Sequence, residues 1–416
     1  MTLANEAIWL IAALATLGVM ARPFGLPEAT WALAGAALLW IAGLLPWHEV
    51  WSAVARGTDV YLFLTGMMLL AELAREEGLF AWLAALAARR ARGSARRLFA
   101  LMYAVGVIVT MLLSNDATAV VLTPAVYAVA RAARARALPY LFACAFIANA
   151  ASFLLPISNP ANLVVFDGHM PPLPEWLARF ALPSVLAIGV TYGVLRATQR
   201  RSLMGVVARD ISVPALSAGG RLAAVGIVAT AVLLLAASAS GVALGLATFM
   251  AGAATTALAL LRARRAPWAL LRGVSWGILP LVAGLFVLVQ GLEHSGLLAN
   301  LVQILQAAAR ASTARAGWLL GIATALACNV ANNLPVALVA GNTLRAAPLA
   351  TPLANAMLIG VDLGPNLSIT GSLATILWLI ALRREGEHMG AWRFLRLGVL
   401  VMLPALLAAL AAAVWL

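Results

Sequence analysis

Two acidic side chains stand where a chain crossing hydrocarbon has no ordinary use for them. Asp116 lies in Ser114-Asn-Asp-Ala-Thr-Ala-Val-Val-Leu-Thr-Pro124, a polar interruption of an apolar stretch that runs from Leu98 to Ala130. Asp362 opens Asp362-Leu-Gly-Pro-Asn366, which interrupts another. An unpaired charge at such depth costs at least about 3 kcal/mol, so its default reading is functional. A carboxylate in a partly dehydrated cavity can take a proton from one side and release it to the other, which makes both residues candidates for proton coupling. Plainer readings stand beside this one. Asp116 is placed to cap a helix beginning at Ala117, and Asp362, read as loop ahead of Gly364-Pro365, suits a turn.

Uncharged donors and acceptors gather at the same kind of place. Ser114 and Asn115 flank Asp116; Asn159 and Asn162 fall in Pro156-Ile-Ser-Asn-Pro-Ala-Asn162; Asn329, Asn332 and Asn333 fall in Cys328-Asn-Val-Ala-Asn-Asn-Leu-Pro335; Asn366, Ser368 and Thr370 follow Asp362. A broken helix in a membrane exposes backbone N–H and C=O groups, and a helix N-terminus carries partial positive charge, so these four clusters predict a cage for a small polar solute. Taken singly, each Asn is as well explained as glue between helices. Cys328 offers a soft sulfur ligand, against the plainer role of a small buried hydrophobe.

The elements that must position these residues are membrane helices. With 416 residues, 64% of them hydrophobic, 10% charged, and a mean hydropathy of +0.98, the chain is no water-soluble globule. Apolar runs of roughly 17 to 25 residues recur throughout, and rich Leu/Ala/Val content selects helices over a barrel. The first run, Ile8 to Met20, has no basic flank before it and reads as a span and not a leader. The net charge of +13 comes from arginines grouped between apolar runs, the bias that orients membrane proteins, with no aromatic-interleaved basic domain to bind nucleic acid. Cys144 and Cys328 make no disulfide or zinc framework, no nucleotide loop or hydrolase triad appears, and no cofactor is called for. The histidines, His48, His169, His294 and His388, all read as loop residues.

The pattern of spans runs twice. Glu77-Gly78-Leu79 and its following helix parallel Ser295-Gly296-Leu297, and the same offset places Asn115 on Asn333. Each half reads as three spans, a short interfacial helix, a re-entrant hairpin, a broken span and a final span. The expected fold is therefore an all-α polytopic membrane protein: two inverted repeats of five crossings each, 1–200 and 219–416, joined by a linker at 201–218. With 75–97 on the inner side, both termini fall outside, and of 28 basic residues only Arg56, Arg179, Arg310, Arg315 and Arg345 lie outside.

At these residues the chain resembles the ArsB-type arsenical pump membrane proteins, part of a larger ion-transporter superfamily that also holds sodium/proton antiporters and dicarboxylate carriers. The matching stretches are Ser114 to Pro124, Ile157-Ser-Asn-Pro-Ala-Asn162, Asn332-Asn-Leu-Pro-Val336, and Gly360-Val-Asp-Leu-Gly-Pro-Asn-Leu-Ser-Ile-Thr-Gly-Ser-Leu-Ala-Thr-Ile-Leu-Trp378. The resemblance covers essentially the whole chain and implies a transporter, not an enzyme. Its expected task is efflux of arsenite or antimonite across the cell's inner, cytoplasmic membrane, driven by protons, or by ATP where a soluble ATPase subunit docks. Arsenite near neutral pH is an uncharged trihydroxide, which suits Asn, Ser and Thr better than an Arg clamp. One departure is Asn366, in the Gly-Pro segment where some members carry a Lys. A sodium/proton antiporter or anion carrier on the same scaffold, or a channel subunit for an ATPase, are the alternative readings.

Overall fold

A computed structural model describes residues 3–166, 170–346 and 349–415. Asp167, Gly168 and His169, part of the 167–179 loop expected on the outer face, lie outside the described residues. Among those described there is no strand, only a single bridge between Ser94 and Val206. The chain is helical as expected, because hydrocarbon offers no partner for an unpaired backbone group.

The first half opens with α1 (Leu3–Ala21), α2 (Glu28–Ile41), α3 (Trp47–Arg56) and α4 (Thr58–Glu76). Helix α3 was not expected. It is amphipathic, carries exposed Trp47 and Trp51, and meets α4 at a 43° bend, the pattern of a helix lying at an interface. Gly78, at φ 74°, then starts α5 (Leu79–Arg90), one face of which is buried against α6 (Ala95–Leu112) and α8 (Thr123–Ala132). Between these two lie the one-turn α7 (Asn115–Ala117) and a π-turn over Thr118–Leu122. Pro124 has no N–H to return to Val120, and it sits just after the π-turn, at the start of α8. A broken span follows, α9 (Leu138–Ala150) and α10 (Pro160–Phe166), then α11 (Leu173–Thr198).

In the second half come α12 (Ala218–Ala239), α13 (Leu244–Ala263), the short α14 (Trp268–Gly273) and α15 (Ile278–His294). Gly296, at φ 77°, starts α16 (Leu297–Ala311) after a 72° bend, as Gly78 starts α5. Next are α17 (Thr313–Ala331), α18 (Asn333–Ala346), α19 (Thr351–Leu363), α20 (Leu373–Arg384) and α21 (Ala391–Trp415). Two expectations are corrected here. Asp362 is not in a loop: α19 continues through Leu363, a 3-10 turn spans Gly364–Leu367, and the irregular stretch is Ser368 to Ser372. His48 and His294 are likewise helical, in α3 and at the end of α15.

Seven of these helices are long and apolar enough to cross a membrane, or up to nine if each bent pair is one span. Length alone counts α6 and α17, the expected hairpin arms, and passes over the shorter α2 and α9. The helices pack as two bodies. In one, α4 lies along α13 and α2 along α15. Gly252 is so close to the Gly66 backbone that a Cβ there would stand 2.5 Å from the Gly66 carbonyl oxygen. In the other, α17 lies along α19 and α11 along α21, with Gly321, Gly360 and Gly364 at the α17–α19 contact. Where lipid tails are as apolar as Leu, close approach of small residues is what holds helices together.

Candidate functional site

Each of the four breaks is held by its own polar residues. After α6, Ser114 turns extended at φ −171° and its Oγ accepts the Ala117 N–H at 3.1 Å, capping α7. Asn115 Oδ1 accepts the Asp116 N–H at 2.9 Å, and the hydroxyls of Thr110 and Thr118 meet at 2.8 Å to pin this tip to α6. The second tip is a single residue, Asn332, held at φ 69° and ψ 155° between α17 and α18. A non-glycine residue held at positive φ outside the helical regions costs on the order of 1–3 kcal/mol and needs its surroundings to fix it. Those surroundings are the other broken span: Asn332 Nδ2 donates to the Thr370 carbonyl at 3.3 Å and the Asn333 N–H to Gly371 at 2.9 Å.

Asn162 closes the α9–α10 break by donating Nδ2 to the carbonyls of Ser152 at 2.9 Å and Pro156 at 3.3 Å. Asn159 Oδ1 caps α10 through the Ala161 N–H at 3.0 Å. Asn329 does the equivalent service for the last break: Nδ2 donates to the carbonyls of Ala325 at 2.8 Å and Gly364 at 2.9 Å, and Oδ1 accepts the Ser368 hydroxyl at 2.7 Å. Ser368 and Thr370 share a hydrogen bond of 3.2 Å. Asn366 is fully buried, with Nδ2 on the Phe146 carbonyl at 3.1 Å and Oδ1 receiving Asn149 Nδ2 at 3.0 Å.

The helices that start after these breaks point at one place. Asn115 and Asp116, Asn159 and Pro160, Asn333 and Leu334, and Leu373 and Ala374 line a single cavity, closed by Leu64 of α4 and Ile278 of α15. The beginnings of α7, α10, α18 and α20 thus converge, two from each half of the chain, and their summed dipoles favour an electron-rich solute. The cavity is about 10 Å³, room for about one water molecule. Leu64 and Ile278 belong to one body and the other lining residues to the second, so the cavity lies between the bodies.

Of the residues singled out from the sequence, Asn115, Asp116, Asn159 and Asn333 are brought together on the cavity wall. The Asp116 carboxylate has no hydrogen-bond or ion-pair partner among the described residues. Ser114, Asn162, Asn329, Asn332, Asn366, Ser368 and Thr370 are not on the wall; they fix the breaks that form it. Asp362 lies just behind, where its Oδ1 receives Asn159 Nδ2 at 2.6 Å and also the Ser152 hydroxyl, while Oδ2 is buried without a partner among the described residues. Cys328 is buried away from the wall, its Sγ 3.9 and 3.8 Å from the carbonyls of Gly360 and Val361. Among the described residues no group of three or more His, Cys, Asp or Glu could hold a metal ion. The sequence reading missed Asn149, Ser152, Ser372 and Thr375. Ser372 caps α20 through the Thr375 N–H at 3.1 Å, and Asn149 joins that turn to Asn366 across the two halves. The missed signal was a pair of polar residues, Asn149 and Ser152, just ahead of a proline break.

The chain is 29% identical over 380 residues to an arsenical pump membrane protein of Yersinia enterocolitica, covering 88% of this chain and 86% of that one. It is 28% identical over 419 residues to an arsenical pump membrane protein of Escherichia coli, covering 95% of each. Among solved structures it is similar to the YdaH transporter of Alcanivorax borkumensis, with a TM-score of 0.60 at 16% identity over 99% of this chain and 98% of that one. That likeness shows the fold. A family model described as citrate transporter matches residues 9–360. With a multi-pass helical fold, broken helices facing a shared cavity and that match over most of its length, the chain belongs to the citrate transporter (CitMHS) family of membrane transporters.

Proposed function

We propose that this ion transporter exports arsenite and antimonite from the cytoplasm in exchange for protons, by alternating access to the cavity between its two bodies. The observation that carries the reading is the convergence of four helix N-termini with the amides of Asn115, Asn159 and Asn333 on one shared cavity. An uncharged trihydroxide presents three hydroxyls, each donor and acceptor. Side-chain amides, each both donor and acceptor, suit it without a counter-charge. The names of the 28–29% identical relatives support arsenicals as the cargo. Asp116, on the wall, and Asp362, behind Asn159, are the proposed proton carriers. The two halves are proposed to be inverted repeats, 1–200 and 219–416, supported by the matched Gly78 and Gly296 helix starts and the matched tips at Asn115 and Asn333. The proposed setting is the inner membrane with both termini outside. An ATPase subunit is not required by this cycle.

Inside-out vesicles test it: with an imposed proton gradient and no ATP, they should accumulate arsenite, and uptake should collapse with a protonophore. Uptake that needs ATP and a second subunit would overturn proton exchange. A second reading, transport of a carboxylate anion, is favoured by the family's citrate description and by the four convergent dipoles. Citrate uptake in the same vesicles, with arsenite neither taken up nor competing, would select it.

A further inference from the structure

Asp362 is fully buried on the last turn of α19, and one serine beside it has too few protons for its neighbours. Ser152 Oγ lies within hydrogen-bond distance of Asp362 Oδ1 and 2.7 Å from the carbonyl oxygen of Asn149. A hydroxyl carries one proton and donates once. When Asp362 is ionised, two proton-less oxygens therefore compete for the Ser152 hydrogen. When Asp362 carries a proton on Oδ1, both contacts are satisfied: the acid donates to Ser152 Oγ, and Ser152 donates to the Asn149 carbonyl. The surroundings offer no other switch. Helix α17 brings Cys328 beside Asp362, while α9, α10, α18 and α21 bring no charged side chain into contact with it among the described residues. Asn159 completes the connection, since it lines the cavity and also donates Nδ2 to Asp362 Oδ1 at 2.6 Å.

We propose that Ser152 and Asn159 are positioning residues that transmit the protonation of Asp362 to the solute cavity, the ionised form binding solute and the protonated form releasing it. This rests on the proton-exchange reading and assigns its coupling step. Ionised Asp362 holds the Asn159 amide in a charge-assisted bond, about twice as strong as a neutral one, and fixes that residue on the wall for a solute oxygen. A proton arriving on Asp362 Oδ1 sends the Ser152 hydrogen to the Asn149 carbonyl and weakens the hold on Asn159. Solute affinity then falls. Solute and proton thereby exclude one another, as exchange requires.

The test uses the full chain in lipid nanodiscs with two readouts. Infrared difference titration follows the stretching band of the protonated carboxyl and needs no solute; the band is assigned by its loss in Asp362→Asn. Ser152→Ala removes both a donor to the ionised form and the acceptor of the acid proton, and should move the midpoint of that band by about one unit, a tenfold change in proton affinity. Ser152→Thr, which keeps the hydroxyl, should restore it, and Asn159→Ala, which removes the other donor to Oδ1, should move it as well. Arsenite binding should weaken as the band grows in, and become independent of pH in Asp362→Asn. A band unmoved by either Ser152→Ala or Asn159→Ala overturns the proposal, as does arsenite affinity that ignores the band. Should Ser152→Ala fail to fold, Asn159→Ala decides alone. A protein that shows the band and its shifts but binds no arsenite upholds the Asp362 relay and sinks the arsenical cargo.

Discussion

Asp116 and Asp362 both looked exceptional in the sequence, yet their surroundings separate their roles. Asp116 lines the cavity with no partner among the described residues, whereas Asp362 is locked behind Asn159 and Ser152. For Asp116→Asn, which keeps shape and removes only the titratable proton, proton-driven arsenite uptake should fall at least about tenfold, ~1.4 kcal/mol, with an unchanged melting temperature. Uptake in inside-out vesicles with a wild-type pH profile would remove Asp116 from the cycle. Asn366 should behave in the opposite way. Its replacement by Ala removes the side-chain donor to the Phe146 carbonyl and leaves Asn149 Nδ2 only its long contact to Thr375 Oγ1 at 3.4 Å, at about 1–3 kcal/mol in all. The melting temperature should drop while arsenite affinity of the folded fraction stays close to wild type. Cys328→Ser should retain transport, since the thiol sits in the α17–α19 contact and not on the wall; a folded but inactive variant in the vesicle assay would argue for sulfur capture.

At the scale of elements, the polar residues at the breaks were legible but their division of labour was not. Composition and apolar period place a break near Asn115, Asn159, Asn332 and Asn366, because an amide amid Leu and Ala stands out. Which amide turns to the cavity and which staples the break depends on a rotation of one residue about a helix start. Asn332 and Asn333 are adjacent, and only Asn333 lines the wall. Position along the chain carries little of that. The end of α19 was misplaced for a related reason: Gly364-Pro365 reads as a stop, yet proline fits the first turn of a 3-10 helix, and the helix runs past Asp362. If Asn115 and Asn333 grip one solute, each Asn→Ala change should weaken arsenite binding by on the order of 1 kcal/mol, and the double variant should be non-additive. Purely additive losses in a binding titration would separate the two tips. Gly364 tests the packing beneath them: a Cβ there would stand 2.6 Å from the Ala325 Cα, so Gly364→Ala should cost about 1–3 kcal/mol by forcing α19 from α17. Thermal unfolding in detergent reads that loss.

For the whole molecule, hydropathy was enough for the class, since long continuous Leu/Ala/Val runs in a chain at 64% hydrophobic content satisfy their backbone in lipid as helices. It was not enough for α3, whose exposed tryptophans and charges blend into a loop when read by hydropathy. The grouping of helices into two bodies was also invisible, being set by contacts between residues far apart, such as Gly66 with Gly252. Orientation remains a matter of arginine placement, and it can be tested directly. If the positive-inside bias holds, the segment beginning at Pro172 faces outward and the linker around Gly205 faces the cytoplasm. Both positions are exposed, and the native Cys144 and Cys328 are buried, so single cysteines introduced at either site can be read against a quiet background. Pro172→Cys should react with an impermeant maleimide in intact cells, and Gly205→Cys only after the membrane is opened. The reverse pattern would turn the molecule over. Labelling of both sites from outside would mean an odd number of crossings has become even between residues 172 and 205, leaving α11 off the membrane and the inverted repeat without its last span.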